Sequence, residues 1–174
     1  MLAINIGSGQ RRFESIPGVI DWRNLDCVSR PGQVPDIVCD VLKEPLPFED
    51  SSVDLVMLYH FFEHLPLMRA DGVVAECHRV LRIGGSLIIV VPDLRALAQR
   101  WLSRQISDFI YVVNLMGADQ GEPGDLHRWH YTPESLTEKL SQQTWEGIRV
   151  FNWGPIPGAD ISKDFWYYGI EAFK

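Results

Sequence analysis

The sequence is short of positive charge, short of cysteine and free of any long apolar run. Lys and Arg total 16 against 23 Asp and Glu, a net charge of −7. A broad nucleic-acid surface is therefore not expected, because phosphate backbones are held by clustered Lys and Arg. The three cysteines, Cys27, Cys39 and Cys77, are odd in number and have no C-x-x-C spacing. They sit in apolar stretches, as buried reduced thiols do, which leads to the expectation of a cytoplasmic protein. No basic segment followed by an apolar run opens the chain, so no signal peptide is expected. The longest aliphatic run, Leu87–Val91, is far too short to span a bilayer. With 174 residues, 46% of them apolar, the chain suits a single folded domain, residues 1–174.

What is present alternates between strand and helix character, which predicts an α/β protein with a mostly parallel sheet. Leu2–Ile6, Val19–Leu25, Asp36–Cys39 and Val53–Tyr59 read as the first four strands. Ala70, Val73, Val74, Cys77, Val80 and Leu81 keep helical spacing, with Gly84-Gly85 as the expected helix end. Ser86–Val91 reads as a doubly covered fifth strand. Leu94, Leu97, Ala98, Trp101 and Leu102 form a second helical stripe. Residues 105–130 have no clear period, and Gly117, Gly121, Pro123 and Gly124 make their second half a loop. Thr132-Pro133 then reads as an N-cap and first helical position. Ile148–Asn152 and Phe165–Phe173 read as closing strands.

The chemistry concentrates at strand ends. Gly7 and Gly9 follow the first strand, where glycine lets backbone approach a ligand. A dinucleotide fingerprint needs a third glycine and a helix N-terminus behind it, and both are missing, so a ligand without a pyrophosphate is expected. Asp26 ends the second strand, where a carboxylate either accepts ribose hydroxyls or bonds its own turn. Asp40 ends the third, either to accept from an adenine amine, with Val41 and Leu42 packed on the ring, or to cap a turn. Together with the glycines, a shared adenosine-containing ligand is the better reading.

These segments resemble the class I S-adenosylmethionine-dependent methyltransferases. The likeness rests on Ile4-Asn5-Ile6-Gly7-Ser8-Gly9, Trp22-Arg23-Asn24-Leu25-Asp26, Asp40, Leu46-Pro47-Phe48, Ser52-Val53-Asp54-Leu55-Val56 and the run Glu76–Gly85. It implies a Rossmann-like, doubly wound, mostly parallel seven-stranded sheet of order 3-2-1-4-5-7-6 with an antiparallel last strand. The cofactor would be S-adenosyl-L-methionine. Asn5, Gly7 and Gly9 would serve its methionine part, Asp26 the ribose, and Asp40, Val41 and Leu42 the adenine. Tyr59 and His60 would line the methyl-donor side. Two positions depart from the pattern: Asn5 replaces an acid and Arg11 replaces a further glycine. They motivate the rival reading, a non-catalytic methyltransferase-like binding or scaffold module.

His60, His64, Asp93 and His127 are the candidate general bases, if the acceptor needs one. His60-Phe61-Phe62-Glu63-His64 also spells H-x-x-E-H, a zinc hydrolase motif. That motif requires a continuous helix, which Pro66 disfavours, so no metal is expected. Only about ten residues separate Gly9 from the second strand, too few for a full crossover helix. No helical cap is expected before the first strand, which would leave the acceptor side to an insertion at about 94–130. Such sparse cover suits a large acceptor (a glycan, lipid intermediate or protein), or a partner subunit or second copy completing the site; a small-molecule acceptor stays open.

Overall fold

The computed structural model describes residues 1–117, 124–152 and 167–174. Seven strands form one sheet: β1 (Leu2–Ile6), β2 (Asp21–Asp26), β3 (Ile37–Val38), β4 (Val53–Tyr59), β5 (Leu81–Pro92), β6 (Gly147–Asn152) and β7 (Tyr167–Phe173). Their order is β3-β2-β1-β4-β5-β7-β6. The first five pair in parallel, and β7 runs antiparallel to both β5 and β6. This is the sheet the sequence motifs imply. Ala3, Ile4, Asn5 and Ile6 of β1 are all buried, as a central parallel strand requires.

Helix α1 (Leu67–Val80) buries Ala70, Val73, Val74, Cys77 and Val80, the predicted stripe. Its end differs from expectation. The chain turns extended at Leu81, which pairs with Val53, while Ser86 pairs with Leu55. Residues 82–85 therefore bulge opposite Asp54. Gly84 takes φ +78° there, and a Cβ on Gly85 would lie 2.9 Å from the Asp54 carbonyl. The two glycines serve a strand bulge, not a helix cap. The same helix ties down the Leu46-Pro47-Phe48 loop. Arg79 donates to the Leu46 and Phe48 carbonyls at 3.1 and 3.0 Å, and Glu76 accepts from the Leu46 N–H at 2.7 Å. The two motifs are thus one hydrogen-bonded unit.

Helices α2 (Leu94–Leu102), α3 (Asp108–Met116) and α4 (Pro133–Leu140) complete the described chain. Thr132 caps α4 in a capping box with Ser135. Leu136, Leu140 and the fully buried Tyr131 join α1 in the main core. A smaller cluster, Met57, Tyr59 and Val90 with Phe13, Trp22 and Tyr167 packed on it, fills the opposite sheet face. Residues 10–20 hold a turn and a single bridge, Ile16 to Ile20, with no helix, as their length predicts. Cys39 and Cys77 are buried free thiols, but Cys27 is exposed, contrary to expectation. It follows Asp26 just beyond the end of β2, where the chain has left the core. Trp153, Phe165 and Trp166 lie outside the described residues, whereas Tyr167 and Tyr168 pack in the sheet as expected.

Candidate functional site

The carboxyl ends of β1, β2, β3 and β4 surround one cleft of about 730 Å³. Open parallel sheets bind ligands at this edge, where the strand order reverses. Gly7, Gly9, Asp26, Asp40, Val41 and Leu42 line its first end. His60, Phe61, His64, Asp125 and Arg128 line the other.

Gly7 has φ +69°, and a Cβ there would fall 2.0 Å from the Phe61 ring. Gly9 has φ +47° with open space beside it, room for a ligand against bare backbone. Asp26 ties this turn to β2, accepting from the Gly9 N–H at 2.7 Å and the Val28 N–H at 3.2 Å. Asp40 accepts from the Leu42 N–H at 3.0 Å and pairs with Lys43 at 2.8 Å. The Lys43 bond, set against some burial, holds its carboxyl below the usual carboxylate range. Both acids therefore shape their own turns and also face the cleft. A carboxylate has about four acceptor sites, so each retains capacity for a ligand hydroxyl or amine. A glycine turn that leaves open space beside Gly9 and two acids at neighbouring strand ends fit a nucleoside.

Asn5 does not line the cleft. It is buried, and its Nδ2 donates to the Arg11 carbonyl at 2.9 Å and to Asn24 Oδ1 at 3.1 Å. Asn24 in turn bonds both backbone polar groups of Phe13. An acid at position 5 could not donate to that carbonyl, so the amide matches the loop that Arg11 enters. The Arg11 guanidinium lies 5.3 Å from the Tyr59 ring centroid. Tyr59 is buried in the smaller cluster against Phe13, and burial pushes its phenol pKa up. It too stands off the cleft.

His60 follows β4 with φ +49°, an uncommon conformation for a side-chain-bearing residue. Its Nδ1 lies 3.3 Å from Glu63 Oε1. Phe62–His64 forms a single 3-10 turn, so the continuous helix of a zinc hydrolase is missing here. Glu63 is 1% exposed. Burial drives its carboxyl upward, but the His60 bond and the His60 and His64 charges outweigh it and hold the group below the ordinary range. Glu63, the acid of the H-x-x-E-H run, is the most deeply buried ionisable group at this end of the cleft. Its signal was an acid among apolar and aromatic residues.

Asp93 is elsewhere. Its carboxylate caps α2, accepting from the Arg95 and Ala96 N–H groups at 2.9 and 3.2 Å, and it does not line the cleft. His127 stands behind the rim, ring to ring with His64 at 4.8 Å between centroids. Burial lowers its pKa to about 4, so it is neutral at neutral pH. Trp129 is 44% exposed, and Tyr131 fills the core position instead.

Residues 20–89 match the family described as "Methyltransferase domain". No curated protein matches the sequence. A structure of a SAM-dependent methyltransferase from Archaeoglobus fulgidus aligns with TM-score 0.67 and 16% identity, over 99% of this chain and 86% of that one. A putative methyltransferase of Haloferax volcanii, solved with the Trm112 methyltransferase activator, aligns with TM-score 0.59 and 16% identity, over 99% and 81%. Human N-acetylserotonin methyltransferase in complex with SAM aligns with TM-score 0.59 and 16% identity, over 99% and 47%. By its matched domain and its strand order alike, the chain carries the fold of the class I S-adenosylmethionine-dependent methyltransferases, whose cofactor is S-adenosylmethionine.

Proposed function

We propose that this protein transfers a methyl group from S-adenosylmethionine to a large acceptor, a glycan, lipid intermediate or protein. The observation that carries this reading is the pair of acids, Asp26 and Asp40, at adjacent strand ends of one cleft beside a glycine turn that is open at Gly9. The cofactor supplies an electrophilic methyl on a sulfonium, so the chain's own work is to bind and align. Asp26 accepts from the ribose hydroxyls, Asp40 from the adenine amine, and Val41 and Leu42 pack on the ring. Gly7 and Gly9 admit the methionine part. His60 faces the donor side and takes a proton where the acceptor is an oxygen. Asp125 and Arg128 form the acceptor's edge.

A partner subunit that completes this edge is consistent with the activator complex of the Haloferax volcanii protein. Among the described residues no helix is long and apolar enough to cross a membrane. With the three cysteines free, this supports a cytoplasmic setting.

Calorimetry with S-adenosylmethionine and S-adenosylhomocysteine tests the proposal. Saturable binding of both is expected. Folded protein that binds neither at millimolar concentration rules the reading out. The scaffold reading predicts binding with no methyl transfer to any acceptor fraction.

A further inference from the structure

We propose that Glu63, His64 and His127 form a binding site for a divalent transition-metal ion of the zinc class at the acceptor end of the cleft. One potential ligand atom from each residue lies within 4.8 Å of the other two. A tetrahedral zinc ion holds such atoms about 3.4 Å apart, so small side-chain rotations close the set. Two imidazoles and one carboxylate are a donor set that zinc and its neighbours accept, with positions left for an outside ligand.

The second observation is that two of the three side chains carry a buried polar atom without a partner. Glu63 is almost wholly buried, yet its Oε2 has no hydrogen-bond partner. His127 Nδ1 is likewise buried and unpartnered. Native proteins rarely leave such atoms without a bond. The other oxygen of Glu63 and the other ring nitrogen of His64 are tied down as a metal's outer shell requires. His64 Nδ1 sits 3.2 Å from the Leu126 carbonyl, which leaves its Nε2 for an ion. His60 occupies the other Glu63 oxygen at 3.3 Å. The backbone fixes the segment as well: Arg128 and Trp129 donate to the Glu63 carbonyl at 2.7 and 3.1 Å, and His127 donates to that of Met116 at 3.0 Å.

This site differs from the one that H-x-x-E-H spells. On a helix, both histidines of that motif would be ligands. Here the 3-10 turn makes His60 a supporting residue, and His127 arrives from the segment before α4. Because His64 also lines the cleft, an open coordination position would face the acceptor. An oxygen-bearing acceptor would be held there. That last step rests on the methyl-transfer reading, whereas metal binding does not.

The test is equilibrium dialysis of the full chain against zinc alone, with cobalt as a spectroscopic substitute. One equivalent of zinc is expected, together with a cobalt absorption spectrum of low-symmetry nitrogen and oxygen coordination. His64→Ala and His127→Ala should each weaken zinc binding by about 100-fold or more, the upper end of what even outer-shell losses produce. His130→Ala should retain it. Circular dichroism confirms the fold of each variant, and Glu63→Gln gives a near-isosteric check. Failure of the wild type to retain zinc, or equal retention by the His64→Ala/His127→Ala double variant, overturns the proposal. Calorimetry with S-adenosylhomocysteine in the absence of metal reads the cofactor end separately.

Discussion

The two ends of the cleft treat their ionisable groups in opposite ways. At the adenosine end, Asp26 and Asp40 already bond backbone N–H groups or Lys43. At the histidine end, Glu63 Oε2 and His127 Nδ1 are buried without a partner. The first end folds its own turns and offers spare acceptor sites to a ligand. The second carries unmet bonding capacity, which costs about 1–3 kcal/mol per group until something binds. One end is therefore complete before its ligand arrives, and the other gains stability from an ion.

The largest effect expected at the adenosine end comes from Gly7→Ala. A left-handed φ and a Cβ inside the Phe61 ring should together cost about 2–5 kcal/mol. Urea unfolding measures this, and a loss under 1 kcal/mol would mean that Phe61 moves freely. Asp26→Ala removes the Gly9 anchor and, on the proposed reading, the ribose acceptor. It should weaken S-adenosylhomocysteine by about 10- to 100-fold in calorimetry, within the range for charged hydrogen bonds. Asn5→Asp should destabilise the fold by about 1–3 kcal/mol, because a carboxylate faces the Arg11 carbonyl with no donor. Equal stability would show that the loop carbonyl has another partner.

The smallest effect belongs to Lys43→Ala. Its ion pair with Asp40 is solvent-exposed on the lysine side and contributes little to stability. Removing it should also let the Asp40 carboxyl titrate nearer its ordinary value. The sign follows from a depressed folded-state pKa. The stabilisation from Asp40 is complete above the unfolded value and is lost as pH falls through the folded one. In the variant that loss should begin at higher pH. Carboxyl carbon chemical shifts followed against pH would show it, and an unchanged midpoint would remove Lys43 as the cause.

The same contrast explains what could be read from the sequence. The adenosine end is built from strand ends and the residues just after them, and those are legible because β1 and β4 announce themselves as apolar runs. Helix α1 was legible through its spacing. Helix α3 was not, because none of its residues is buried and Phe109, Val112 and Met116 are exposed, so no core-facing period exists to detect. Gly84-Gly85 misled because glycines end helices and fill bulges alike, and only the pairing of Leu81 with Val53 distinguishes the two. Asp93 stands at a ligand-binding strand end, yet it caps the helix that starts beside it. The histidine end depends on tertiary structure: His64 and His127 meet only because the segment before α4 bonds back to the Glu63 carbonyl. No local pattern carries that contact.

The most direct test measures both ligands on two variants. S-adenosylhomocysteine and zinc are titrated separately into wild type, Asp40→Ala and His127→Ala. The expected result is a crossed pattern. Asp40→Ala loses about 10-fold or more in S-adenosylhomocysteine affinity and keeps zinc, whereas His127→Ala keeps S-adenosylhomocysteine and loses zinc. Asp40→Ala binding S-adenosylhomocysteine as wild type does, or either variant losing both ligands while folded, would contradict a cleft with two independently built ends.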